Sequence, residues 1–251
     1  MKGSSQLLAL ALAAAGGVLL FLGMPETAAS RELAGTRPER RSFEPAQRRY
    51  VVAAIGDSLT DLRVGGGRYM RDLQRRCPGS RFDAYGVGGQ QTSHMRWRFL
   101  QDVFGIGQRG GPEKPHYTHV VVLGGVNDLT AGSLRSARME RIRDNLRWMY
   151  EQAHRRGVQV VAVTVPPWGR LRGVTDLRHQ ATADLNAWIV EQQQAGLVDH
   201  AVQIGDLLSC GKPGVLCPKY RMLPTDDIHW GSEGHERVAG ALHEAAFSDC
   251  E

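Results

Sequence analysis

Lysine is scarce in this 251-residue sequence, which carries it only at positions 2, 114, 212 and 219 despite a formal charge of +5. The other basic residues are arginines, and they are spread along the chain instead of being gathered in one tract. The basic balance has two interpretations, attraction to an anionic surface or polymer and a solvated arginine-rich surface. The scatter favours the second. Because no nucleic-acid-binding module is present either, we expect no nucleic-acid partner.

Several signature motifs are also missing. The chain lacks the Gly-x-Ser-x-Gly elbow of the α/β-hydrolases and any internal repeat, and the glycine-rich stretch at 86–92 contains neither a full Gly-x-Gly-x-x-Gly nor a Lys-Ser/Thr phosphate loop. It also lacks Cys-x-x-Cys or a His-bearing ligand spacing, which counts against zinc. These absences argue against a nucleotide phosphate site, a structural zinc site and a solenoid or propeller.

The N-terminus carries the longest apolar stretch, residues 7–24, which is followed by small residues at 27–30. This pattern predicts a signal peptide over 1–30 and an exported protein, periplasmic or secreted. An uncleaved membrane anchor stays open, because the stretch is near the minimum length for a spanning helix. Six arginines between positions 31 and 49 count against export, since such charges prefer the cytoplasmic side. We expect membrane contact only through such an anchor.

Four cysteines follow this export-like segment, an even number that suits two disulfides in an oxidising compartment. Three pairings are formally allowed. The short loop between Cys210 and Cys217 makes these two natural partners, which leaves Cys77 to join Cys250. That second bridge would tie the C-terminus back onto the domain.

Residues 31–48 are charged and lack hydrophobic periodicity, which indicates a linker before a single domain over 49–251. Apolar, β-branched runs predict strands at 50–55, 119–123 and 158–165, with weaker candidates at 82–85 and 201–204. Helical periodicity predicts helices over 134–156 and 177–194, and a last one after Gly234. The alternation indicates an α/β fold whose parallel sheet is covered on both faces. The active site of such a sheet lies beyond the carboxyl ends of its strands.

Chemically suggestive residues follow the first two strands. Gly56-Asp57-Ser58-Leu59 directly follows the first, where a tight turn could expose the Ser58 hydroxyl, although such a turn is more often structural. After the second strand, Gly86-Val87-Gly88-Gly89 could direct a free N–H into a cleft, or form an ordinary turn.

Two further fragments complete the pattern. After the third strand comes Gly125-Val126-Asn127-Asp128, in which the Asn127 amide could donate to an oxyanion or cap the next helix. Before the last helix comes Asp226-Asp227-Ile228-His229. Here His229 could accept and return a proton while Asp226 orients its ring, although a metal pair is conceivable. We expect the side chain of Asp227 to point away from His229.

Together, in this order, the four fragments resemble the four sequence blocks of the SGNH hydrolases, also called GDSL esterases/lipases. The resemblance covers about 50–247. One departure lies in the second block, where the family usually has an asparagine ahead of its glycines and this chain reads Asp83-Ala84-Tyr85.

The resemblance implies a three-layer α/β/α sandwich with a central five-stranded parallel sheet of flavodoxin-like type, and no metal or organic cofactor. It makes Ser58 the nucleophile, His229 its base and Asp226 the orienting acid. The oxyanion would be held by the backbone N–H groups of Ser58 and Gly89 and by the amide of Asn127. Supporting roles fall to Asp57, Gly125 and Asp128, and His235 is read as structural.

We therefore expect a monomeric serine esterase that acts on a small-molecule or glycan ester with a short acyl group. One alternative is an acyltransferase or deacetylase acting on cell-envelope polysaccharide, and another is a catalytically silent carbohydrate-binding domain. Trp168 and Trp230 could line the substrate pocket, or they could be ordinary partly buried aromatics.

Overall fold

Five short strands form one sheet in which every neighbouring pair is parallel, in the order β2-β1-β3-β4-β5. Each corresponds to a run predicted from the sequence: β1 (Val51–Gly56), β2 (Arg81–Gly86), β3 (His119–Leu123), β4 (Gln159–Val163) and β5 (His200–Val202). The internal strands β1 and β3 are buried almost throughout, as expected for apolar strands covered on both faces.

The computed structural model describes residues 48–131, 136–169 and 176–250, all of which fall in one compact unit, Pro45–Glu251. The predicted signal or anchor segment and nearly all of the predicted linker lie outside the described residues. Within the described part of the chain, no helix is both long and apolar enough to cross a membrane.

Helices cover both faces of the sheet. They are α1 (Arg68–Arg76), α2 (Thr92–Phe104), α3 (Val126–Thr130), α4 (Ser136–His154), α5 (Asp176–Gln194), α6 (Gly205–Ser209) and α7 (Ser232–Ala246). Helix α1 packs on α7, while α2 packs on α4 and α4 also contacts α5. The predicted three-layer α/β/α sandwich with a five-stranded parallel sheet is confirmed.

Several predicted boundaries differ from the structure by one or two residues, and two of them have a clear physical reason. Helix α7 begins at Ser232 and not after Gly234, because Gly234 lies within its first turn. A Cβ at Gly234 would lie 2.9 Å from the Cβ of Trp230, so the glycine is needed for close packing and does not mark a helix start. Strand β4 ends at Val163, since the N–H of Val165 leaves the sheet to donate to Asn186 Oδ1 at 2.7 Å.

Both predicted disulfides form, Cys77–Cys250 and Cys210–Cys217. The first joins the end of α1 to the chain after α7, and so attaches the C-terminus to the domain. The second closes the short loop after α6. Because all four sulfurs are oxidised, they are not thiolate metal ligands, and two such bridges suit an oxidising compartment.

Candidate active site

Three strand ends lie level at one edge of the sheet. In the strand register, Gly56 at the end of β1 pairs with Gly86 of β2 and with Leu123 of β3. A Cβ at Gly56 would lie 2.2 Å from Thr60 Oγ1 and 2.7 Å from the carbonyl oxygen of Leu123, so only glycine fits. The chain therefore turns sharply after β1 and presents the half-buried Ser58 at this edge.

The structure brings the three predicted triad residues together. Ser58 Oγ lies 2.9 Å from His229 Nε2, and Asp226 Oδ2 lies 2.9 Å from His229 Nδ1. A carboxylate can only accept, so Nδ1 carries the proton that Asp226 binds, and Nε2 is left to accept from the Ser58 hydroxyl. Hydrogen bonds thus run without a break from Asp226 to Ser58, across 171 residues of sequence between Ser58 and His229.

The three-residue spacing of Asp226 and His229 has a local explanation. Asp226 Oδ1 accepts the backbone N–H groups of Ile228 at 3.0 Å and His229 at 2.9 Å, which folds the chain into a tight turn. Partial burial alone would raise the pKa of Asp226, but these two N–H groups and the His229 ring hold it below its usual value. Asp226 is therefore an anion throughout the neutral range.

Asp227 points away from this pair, as the sequence predicted. Its Oδ1 lies 2.9 Å from Arg221 Nη2, and both side chains are buried. Arg221 also forms an antiparallel bridge with Trp230, and the N–H of Met222 donates to the carbonyl oxygen of His229 at 2.9 Å. The loop that carries His229 is thus held against the preceding segment at residues 221 and 222.

The two predicted oxyanion donors outside the Ser58 turn lie at the same edge. Asn127, in the first turn of α3, donates from Nδ2 to Asp57 Oδ2 at 3.2 Å and to the carbonyl oxygen of Gln90 at 3.0 Å. Gly89 is exposed and has a φ of 73°, in the left-handed region that favours glycine. These contacts link the turn after β1, the loop after β2 and the start of α3.

Asp57 and Asp128 are both buried and both hydrogen-bonded. Asp57 Oδ1 accepts from the N–H of Leu59 at 3.0 Å, and burial raises the pKa of Asp57 to about 6. Asp128 accepts from the N–H of Thr92 at 2.9 Å and from its hydroxyl at 2.8 Å, and burial likewise raises its pKa. Gly125, predicted to support the site, has a φ of 116° and precedes α3.

Trp168 and Trp230 are buried more deeply than either sequence interpretation expected, with 1% and 0% of their surface exposed. The ring of Trp230 packs edge-on against Tyr69 and His235. Trp168 donates from Nε1 to Thr182 and borders a cavity of about 290 Å³ whose lining includes neither Ser58 nor His229. Of the two sequence interpretations, the structure favours buried aromatics, because Trp230 packs against other rings of the core and the cavity beside Trp168 does not include the triad.

Sequence reasoning missed two groups that organise this edge. Arg98 of α2 is buried and donates to the carbonyl oxygens of Gly56 at 2.7 Å and Tyr85 at 2.9 Å, and to Gln90 Oε1 at 2.6 Å. Asp61, just beyond the Ser58 turn, accepts the N–H of Gly88 at 3.0 Å. Neither residue belongs to a local sequence pattern. Sequence alone does not distinguish a buried arginine in a helix from an exposed one.

Comparison with known proteins agrees with an esterase-type site. The sequence model of the GDSL-like lipase/acylhydrolase family matches residues 54–237, well over half of the chain. Comparison with curated proteins finds no significant match.

Solved structures share the fold. A GDSL-like lipase from Bacteroides thetaiotaomicron superposes with a TM-score of 0.60 at 21% identity, covering 78% of this chain and 86% of that one. A catalytic mutant of an acetylxylan esterase from Geobacillus stearothermophilus gives a TM-score of 0.61 at 16% identity, covering 82% of this chain and 98% of that one.

Proposed function

Since the chain belongs to the GDSL-like lipase/acylhydrolase family and is an ester-hydrolysing enzyme, we propose that it removes short acyl groups from carbohydrate esters through a covalent intermediate on Ser58. The observation that carries the proposal is the unbroken hydrogen-bonded series Asp226–His229–Ser58 at the carboxyl edge of the sheet. A nucleophile, a base in contact with it and a group that orients the base are the elements of acyl transfer through serine.

In the first half-reaction, His229 Nε2 takes the Ser58 proton as Oγ bonds to the ester carbonyl carbon, forming a tetrahedral oxyanion. The carbon–oxygen bond to the alcohol then breaks, and His229 returns the proton to the leaving alkoxide. In the second half-reaction, water attacks the acyl-serine while His229 takes its proton. Collapse of this second oxyanion releases the carboxylic acid, and the proton returns to Ser58 Oγ. Asp226 stays ionised and stabilises the imidazolium in both halves.

The developing oxyanion would be held by the backbone N–H groups of Ser58 and Gly89 and by the Asn127 amide. In the resting enzyme both Nδ2 protons of Asn127 already have acceptors, Asp57 Oδ2 and the Gln90 carbonyl oxygen. The Asp57 contact is the longer of the two at 3.2 Å, so we expect this proton to be shared with the oxyanion. Preorganised donors of this kind stabilise the transition state without reorientation during the reaction.

The surroundings of Ser58 leave room for a bulky alcohol. Gly88 and Gly89 are exposed and carry no side chain, so this side of the serine is open to a large leaving group such as a sugar. The structural likeness to an acetylxylan esterase agrees with an acetyl group on a glycan. The two disulfides suit action on such a polymer outside the cytoplasm.

The test is an ester panel graded by acyl length, from acetyl to octanoyl p-nitrophenyl esters, together with acetylated xylo-oligosaccharides. We expect kcat/KM to be highest for acetyl, and Ser58→Ala to abolish turnover on every substrate. Ser248→Ala is the control, because Ser248 is exposed beyond α7 and its neighbour Asp249 contacts Tyr50, the residue before β1, at the opposite end of that strand from Ser58. Full activity in Ser58→Ala would overturn the proposal. Analysis of products with a free sugar acceptor present separates hydrolysis from acyl transfer.

A further inference from the structure

The loop that carries Gly89 is held at the following residue, Gln90, whose carbonyl oxygen accepts from Asn127 and whose side chain accepts from Arg98. After β2 ends at Gly86, the N–H of Val87 donates to the Gly56 carbonyl oxygen at 3.2 Å, and the N–H of Gln90 donates back to Val87 at 3.3 Å. A Cβ added at Gly89 would meet nothing within 4 Å. To donate to the oxyanion, the Gly89 N–H must point into the active site and have no acceptor within the protein. Its direction is therefore set by the neighbouring residues of the loop.

The carboxylate of Asp61 holds the residue on the other side of Gly89. Asp61 is 3% exposed, and its Oδ2 accepts the N–H of Gly88 at 3.0 Å. A Cβ built at Gly88 would lie 3.8 Å from Asp61 Oδ2 and 3.9 Å from Ser58 Cβ. Gly88 therefore lies between the nucleophile and this carboxylate, one residue before the predicted oxyanion donor.

Arg63 in turn fixes the carboxylate. Its Nε donates to Asp61 Oδ1 at 2.9 Å and its Nη2 to Oδ2 at 2.8 Å, a bidentate pair. The backbone N–H of Arg63 also donates to Oδ1 at 3.0 Å, which caps the 3₁₀ turn Leu62–Val64. The guanidinium, and after it the backbone donors, lower the pKa of Asp61 to about 2. All four lone-pair positions of the carboxylate are thus used, and three of its four donors belong to Arg63.

We propose that Asp61, fixed by Arg63, is a positioning residue for the oxyanion hole: it holds the Gly88 N–H and thereby directs the Gly89 N–H towards the carbonyl that Ser58 attacks. This rests on the proposed function.

The consequence is a specific kinetic signature. Asp61 does not contact substrate, so its loss leaves substrate binding largely unchanged and misdirects a donor that acts in the transition state. Removing an oxyanion donor outright costs ~10²–10³ in kcat, so misdirecting one should cost less, about 10- to 100-fold. KM should change by less than about threefold, since ground-state contacts persist.

The experiment compares Asp61→Asn with Asp72→Asn. The control is matched, because Asp72 also has a mostly buried side chain and pairs with an exposed arginine, Arg75, but lies on α1 outside the site. Asparagine at 61 keeps the size but brings an NH₂ group against the N–H of Gly88 or the guanidinium of Arg63. We expect kcat for p-nitrophenyl acetate to fall about 10- to 100-fold in Asp61→Asn and less than twofold in Asp72→Asn.

Thermal midpoint and the amplitude of fluorophosphonate labelling show how much folded enzyme each variant contains. Arg63→Ala gives a second route if Asp61→Asn folds poorly, since Arg63 is exposed and its removal leaves the carboxylate in place. We expect kcat to fall about 3- to 10-fold there, with labelling amplitude intact. An unchanged kcat per labelled site in both variants, or a loss that only follows reduced labelling, would overturn the inference. Active Ser58→Ala would instead overturn the proposed function itself.

Discussion

Asn127 and Asp57, 70 residues apart in sequence, face each other across the catalytic edge, with Asn127 Nδ2 donating to Asp57 Oδ2 at 3.2 Å. Asp57 Oδ1 is already engaged by the N–H of Leu59 at 3.0 Å. The carboxylate beside the nucleophile thus orients the amide that would hold the oxyanion.

Substitution of Asp57 by asparagine tests this contact. If the amide oxygen of the new side chain still accepts from the N–H of Leu59, its NH₂ group faces the NH₂ group of Asn127. Two donors then meet with no acceptor between them. We expect Asp57→Asn to lower kcat about tenfold or more with p-nitrophenyl acetate, because the Asn127 amide is turned away from the oxyanion. Steady-state kinetics of Asp57→Asn are compared with those of Asp206→Asn, a control at an exposed position. Equal kcat values for the two variants would refute the role of the Asp57–Asn127 contact.

Burial of Asp57 also predicts a pH dependence of stability. Its pKa rises from 3.8 in the unfolded chain to about 6 in the native protein, so the native state holds this proton more tightly. The contribution of Asp57 to the free energy of unfolding is therefore complete below pH 3.8 and falls as pH rises through about 6. At 1.4 kcal/mol per pKa unit the fall is roughly 3 kcal/mol.

Urea unfolding at pH 4 and pH 7 measures this effect. The free energy of unfolding of the wild-type protein minus that of Asp57→Asn should be larger at pH 4 than at pH 7, because asparagine does not titrate. A difference that is the same at both pH values, or that grows with pH, would show that Asp57 carries no raised pKa.

Substitutions of the neighbouring residues Asp226 and Asp227 should affect different properties, catalysis for the first and stability for the second. Asp226→Asn removes the acceptor that fixes the His229 tautomer, and we expect kcat to fall about 10³- to 10⁴-fold with little change in thermal midpoint. Asp227→Asn leaves the buried Arg221 without its anion, and we expect a loss of about 3 kcal/mol or more in stability. Kinetics per labelled site and thermal unfolding of the two variants separate these roles; the reverse pattern would contradict the assignment.

The two disulfides should differ in their contribution to stability. Cys77–Cys250 spans 173 residues and Cys210–Cys217 spans 7, and a longer closed loop constrains the unfolded chain more. The chain-entropy relation gives about 5 kcal/mol for the first and about 2 kcal/mol for the second. Replacing each pair by serine and measuring urea unfolding tests the order. An equal loss from both pairs would mean that loop length does not set their effect.

The features that the sequence predicted are those with a local signature. Continuous apolar runs marked β1, β3 and β4, weaker patterns marked β2 and β5, and the level ends of β1, β2 and β3 follow from their parallel pairing. The turn formed by Asp226 and His229 is local as well, because both of its backbone donors lie within three residues of the carboxylate.

What the sequence did not reveal depends on contacts between distant segments. Asp61 meets Gly88 27 positions away, and Arg98 meets Gly56 42 positions away. No periodicity or motif encodes such pairs. The sequence left open whether Trp230 lines the substrate pocket or is an ordinary partly buried aromatic, because adjacent residues in an extended segment point in opposite directions. Its ring therefore enters the core while His229 faces Ser58.

The covalent site is the central claim, and identifying the modified residue tests it most directly. The full-length protein would be treated with a fluorophosphonate, weighed intact by mass spectrometry, and digested to locate the adduct. The account predicts one adduct per chain, on Ser58, formed far more slowly in His229→Ala. An adduct on any other residue, or an unlabelled protein that still hydrolyses p-nitrophenyl acetate, would contradict it.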